Sequence, residues 1–153
     1  MKRSVCVLAF VIFFGLSAVV FAGSFKVYPG AKLEDVYEIK EAKPTPQMQK
    51  TPKVLIFTTN DFFENVVAFY RGVGREYRMP GSGVNVTKLQ TGQELKETYF
   101  IFDDAPDIMS SKHWIKIQRP YLVRGRTEKG FQGRYEAIRN VTAIIEEDKR
   151  RYP

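Results

Sequence analysis

The chain has 153 residues, 44% of them hydrophobic and 14% aromatic, with one cysteine and a formal charge of +7. That length suits one domain and leaves no comfortable room for two. The aromatic share excludes a disordered chain, and a lone cysteine excludes an internal disulfide.

The first 22 residues read as an export signal. Lys2 and Arg3 precede an apolar run from Val5 to Ala22, broken only by Gly15 and Ser17. Val20-Phe21-Ala22 supplies a cleavage site, and Gly23-Ser24 follow at once. The run is 18 residues long, the lower edge for a membrane span, so an uncleaved N-terminal anchor is the alternative. Cys6 opens the run with no small-residue site before it, which argues against a lipid-modified cysteine. Cleavage after Ala22 leaves residues 23–153 as one exported domain, without cysteine and with a charge of +5. The short bare signal points to a bacterial periplasm or the cell exterior. Asn85-Val86-Thr87 and Asn140-Val141-Thr142 match the glycosylation sequon, a chance match in such a protein.

Tyr28-Pro29-Gly30-Ala31 is an opening turn. Residues 32–43 alternate acid and base around Leu33, Val36, Tyr37 and Ile39 and suit a short helix or an edge strand. Residues 44–52 carry Pro44, Pro46 and Pro52, which predicts a loop. Val54 to Thr59 is an apolar, β-branched strand. A helix is predicted at about 61–77: Asp61 and Glu64 have capping-box spacing, and Phe62, Val66, Phe69, Tyr70 and Val73 form one stripe. Pro80-Gly81-Ser82-Gly83 breaks it.

The rest reads as strands: Val84–Gln90, Glu94–Phe102, His113–Val123 and Arg139–Glu147, with residues 124–137 left as a Gly- and Arg-rich stretch. Pro120 demotes its end of the third strand to an edge or a bulge. His113 is expected half-exposed beside Trp114. In the last strand Val141, Ala143 and Ile145 share a face, with Thr142 and Ile144 opposite. A strand, a helix and then consecutive strands predict an α+β domain: an antiparallel sheet of five or six strands with one main helix on one face.

Tyr28-Pro29-Gly30-Ala31, the strand ending Phe57-Thr58-Thr59, Asp61 and Val66-Val67-Ala68-Phe69-Tyr70-Arg71 together resemble small exported bacterial proteins of unassigned function. These share a YPGA opening, a strand, a helix ending in a VVxFY stretch and further strands. The resemblance covers about residues 28–75. It implies export and the α+β fold, and it implies no catalytic residue.

Four sets of residues are candidates for chemistry. Asp103, Asp104 and Asp107 offer carboxylates to a hard cation, with a strand-ending turn as the plain alternative. His113 is the only histidine and a candidate general base, with an acid from Asp103, Asp104 or Asp107. No G-x-S-x-G elbow supplies a nucleophile. Gly72-Val73-Gly74 follows a helix, Gly81-Ser82-Gly83 is a linker and Gly130-Phe131-Gln132-Gly133 lacks a lysine–serine ending, so none is a phosphate loop. The fourth set is electrostatic. Residues 112–139 hold eight bases against Glu128 and Glu136, a net of +6, with Trp114, Tyr121, Phe131 and Tyr135 interleaved.

Arg119, Arg124, Arg126 and Arg134 are the candidate anion ligands, because arginine forks match phosphate and carboxylate. An exported chain meets anionic lipid and envelope polymers and not nucleic acid. The leading expectation is a non-catalytic binding domain that contacts an anionic envelope component or a protein partner. A small hydrolase or lyase built on His113, and a structural subunit pairing through a strand edge, are the alternatives. No cofactor is implied.

Overall fold

A computed structural model describes residues 24–38, 53–80, 86–127 and 130–151, without the side chains of residues 37, 38, 53, 86, 124–134 and 151. The signal segment and the Pro-rich stretch 44–52 lie outside the described residues. Nine strands and one α-helix are present among them: β1 (Lys32–Glu38), β2 (Lys53–Thr59), α1 (Phe63–Arg71), β3 (Arg75–Tyr77), β4 (Val86–Lys88), β5 (Glu94–Ile101), β6 (His113–Arg119), β7 (Tyr121–Thr127), β8 (Gly130–Arg139) and β9 (Thr142–Asp148). A short 3-10 turn, Lys149–Arg151, follows.

Seven strands form one antiparallel sheet in the order β1-β2-β9-β6-β5-β3, with β4 also pairing to β5. Strands β7 and β8 form a separate two-stranded ribbon. The fold is therefore α+β with a larger sheet than the expected five or six strands. Among the described residues, no helix is long and apolar enough to cross a membrane.

Strand alternation sorts the buried side chains into two clusters. Phe57, Phe100, Phe102, Ile115, Ile117 and Ile144 cluster with Val66, Val67 and Tyr70 of α1. Val54, Ile56 and Ala143 cluster with Tyr121, and Val123, Val141 and Ile145 pack against them. The foot of the ribbon thus contributes to the second cluster.

Four local expectations need correction. The helix starts at Phe63, and its N-cap residue Phe62 makes no side-chain cap. Asp61 instead accepts a hydrogen bond from the Tyr28 hydroxyl at 2.8 Å, and Glu64 pairs with Lys96. The helix also stops at Arg71, not near 77. A Cβ on Gly74 would lie 2.9 Å from the Phe102 ring, so only glycine lets the chain turn this closely, and Arg75–Tyr77 then pairs with β5. Pro120 marks no sheet edge. β6 lies between β5 and β9, and Pro120 stands where the chain leaves it for the ribbon. In the Gly- and Arg-rich stretch, left without structure by composition, residues 124–127 lie in β7 and residues 130–137 in β8.

The opening turn forms as expected. Gly30 adopts φ +80° and Ala31 N–H donates to Tyr28 O. Segment 32–43 resolves as the edge strand β1 over its described part.

Candidate functional site

Strands β6 and β9 pair with His113 opposite Asp148 and Ile115 opposite Glu146. Residues two apart on a strand share a face. His113, Glu146 and Asp148 therefore project together, on the face that carries Ile115, Ile117 and Ile144 into the core with α1. His113 and Glu146 are each 1% exposed and Asp148 is 5% exposed. The half-exposed histidine expected from the sequence is in fact a buried one.

His113 Nε2 lies 3.0 Å from Glu146 Oε1 and 3.9 Å from Asp148 Oδ2. Arg150 closes the outer side. Its Nε meets Asp148 Oδ1 at 2.9 Å and its Nη2 reaches His113 Nδ1. A guanidinium only donates, so Nδ1 accepts and the ring proton sits on Nε2, donating to Glu146. Burial pushes the Asp148 carboxyl up, but the Arg150 hydrogen bonds, together with the electrostatic pull of His113 and the guanidinium, hold the group below its ordinary range. Aromatic rings cover the rest of the imidazole: Phe102 at 5.0 Å between centroids and Phe25 edge-on at 5.9 Å. Phe25 also touches Phe57, Tyr70 and Phe102. Burial pushes the Tyr70 phenol up, and its hydroxyl donates to Lys26 O at 3.0 Å. Among the described residues, His113, Glu146 and Asp148 are the three-residue set with metal-ligand chemistry, their ligand atoms all within 4.8 Å of one another.

The acids singled out in the sequence do different work. Asp103 Oδ2 accepts the backbone N–H of Lys112 at 2.6 Å and of His113 at 3.2 Å, and its Oδ1 accepts the Ser111 hydroxyl at 2.9 Å. Burial raises Asp103, but these donors prevail and hold it low. Asp103 thus staples the turn to the start of β6 through backbone, away from the imidazole nitrogens. Asp107 caps Ser110 N–H at 2.8 Å, and those donors hold its carboxyl low as well. Asp104 is exposed. The imidazole takes its acids from β9. Sequence reading missed that pair because 33 residues separate His113 from Glu146. One signal was present: Glu146 has the parity of Thr142 and Ile144 in a strand whose two faces are both apolar, which puts a carboxyl on a buried face.

Of the four candidate anion ligands, Arg119 acts as a clamp. Its Nη1 donates to Asp61 O at 2.9 Å, Asn60 O at 3.3 Å and Thr142 Oγ1 at 3.1 Å, and its guanidinium lies over Phe62. Arg124, Arg126 and Arg134 belong to one element, the β7–β8 ribbon, where Arg124 pairs with Tyr135 and Arg126 with Phe131 in the backbone register. At the foot of that ribbon Arg139 forms an ion pair with Glu34 of β1 at 2.5 Å. Beside that pair a cavity of about 230 Å³ opens between Lys32, Thr58, Thr59 and Asn60.

Comparison with protein-family models, with curated proteins and with solved structures finds no match to this chain.

Proposed function

We propose that the chain is an exported, non-catalytic domain that docks on an anionic component of the cell envelope through the β7–β8 ribbon. The observation that carries this reading is the gathering of charge on one element. Residues 121–139 hold Arg124, Arg126, Lys129, Arg134 and Arg139 against Glu128 and Glu136, a net of +3, and Arg124, Arg126, Arg134 and Arg139 lie on two strands outside the main sheet. Arg139 is paired to Glu34, so the anion ligands in this reading are Arg124, Arg126 and Arg134. Arg119 fixes the strand from which the ribbon departs. Phe100, Ile115 and Ile117 cluster with Val66, Val67 and Tyr70 of α1, whereas Tyr121 at the foot of the ribbon clusters with Val54, Ile56 and Ala143.

Buried His113 supports the non-catalytic part, since a general base needs contact with substrate or its water. The apolar segment before Gly23 and the resemblance over residues 28–75 support export. The test is co-sedimentation with vesicles of anionic and of neutral lipid, with lipopolysaccharide as a second arm. The reading expects retention on the anionic surfaces that weakens as salt rises. Equal retention on neutral and anionic vesicles at low salt would defeat it.

One further observation favours a second reading, pairing between copies. Strand β1 is an edge of the main sheet, and its Leu33 and Val36 are exposed, a surface suited to strand addition. Light scattering at high concentration decides it: a dimer supports edge pairing and a stable monomer removes it.

A further inference from the structure

We infer that His113, Glu146 and Asp148 form a latent site for a divalent transition-metal ion of the zinc type, held closed by Arg150. The three groups come from adjacent strands in fixed register, so their relative placement is set by the sheet and not by a loop. One imidazole nitrogen and two carboxyls match the ligands zinc accepts, at bond lengths of about 2.0–2.2 Å. Two ligands at the tetrahedral angle on such an ion stand about 3.4 Å apart, and the His113 Nε2 to Glu146 Oε1 separation is 3.0 Å. Asp148 Oδ2, at 3.9 Å from the same nitrogen, has to move inward by less than an ångström.

Arg150 opposes the ion through the tautomer. A metal on Nε2 requires the imidazole proton on Nδ1, where Arg150 now donates. Binding therefore shifts the ring proton from Nε2 to Nδ1, releases no net proton, and drives the guanidinium off the ring. Arg150 can leave, because its side chain is 47% exposed and follows the last strand in a short 3-10 turn.

His113 is the only histidine in the chain, which makes one imidazole signal a clean reporter. The experiment is a Zn²⁺ titration of the ¹⁵N-labelled protein, as processed by its host, with long-range ¹H–¹⁵N spectra of the ring and reversal by a chelator. The expected result is a saturable one-to-one shift to a metal-bound Nε2 with the proton on Nδ1. Arg150→Gln, a change at the surface, tightens Zn²⁺ at least tenfold, and Asp148→Asn weakens it at least tenfold. An unchanged ring pattern under excess Zn²⁺ in both the parent and the Arg150→Gln protein would overturn the site. Zn²⁺ bound without a change at His113 would overturn it too, and equal affinity in those two proteins would overturn the arginine gate.

Discussion

His113 and Glu146 face each other across β6 and β9 with Nε2 and Oε1 3.0 Å apart, each 1% exposed to solvent. A pair this deep is held by mutual satisfaction, because either partner alone leaves a buried polar group without compensation. His113→Ala is expected to destabilise the protein by about 3 kcal/mol, the usual scale for breaking a buried pair. His113→Leu combined with Glu146→Leu is expected to be less damaging than His113→Ala, since no carboxyl is stranded. Urea unfolding of the variants reads both values; a double variant weaker than the single one contradicts the pairing.

Acid is expected to weaken the fold through Asp103 and Asp148. Both carboxyls sit below their ordinary values in the folded chain. A carboxyl lowered by folding contributes its stability above its unfolded pKa, about 3.9 for Asp, and that contribution disappears as pH falls through the lower folded value. Stability should therefore hold near neutrality and decline from about pH 5 downward. Asp103→Asn should remove about 2 kcal/mol at neutral pH, the scale of hydrogen bonds to a charged acceptor, and flatten the acid limb. Unfolding curves at stepped pH check it.

Gly74 and Phe102 test how the helix is ended. A Cβ on residue 74 meets Phe102 Cε1 at 2.9 Å, and Phe102 in turn lies on the His113 ring. Gly74→Ala is expected to cost about 1–3 kcal/mol, the range for overpacking a core. The single histidine should change its NMR shift at the same time. Thermal melts and the histidine spectrum measure the two effects.

Phe25 lies three residues beyond the expected cleavage site and packs on Phe57, Tyr70, Phe102 and His113. Deleting its ring should destabilise the protein by about 2 kcal/mol, less than a fully buried phenylalanine because Phe25 is only partly covered. It should also speed hydrogen exchange at β6 next to His113. An unchanged melting temperature for Phe25→Ala contradicts the packing.

Strong local patterns were legible in the sequence, and long-range register was not. The apolar runs of β2 and β5 and the alternation of β9 identify those strands, and Pro29-Gly30 identifies the first turn. Gly130, Gly133 and the arginines of 124–134 hid the ribbon, since glycine and charge carry no strand pattern. The end of α1 depended on a contact between Gly74 and Phe102, 28 positions apart in the sequence. The His113 cluster needed the β6–β9 register, which brings together residues on strands formed far apart. The charge segregation was visible at once, but its collection on one ribbon required β8 to exist.

Removing the ribbon charge tests the proposed function most directly. Arg124→Gln, Arg126→Gln and Arg134→Gln combined take three cations from one element, at about 1 kcal/mol each near an anionic surface. Vesicle partitioning of this variant beside the parent is the measurement. The predicted result is a loss of about 100-fold on anionic vesicles at low salt, from a sum of about 3 kcal/mol, with an unchanged melting temperature. Undiminished anionic binding by the triple variant would contradict the assignment of the ribbon as the docking element.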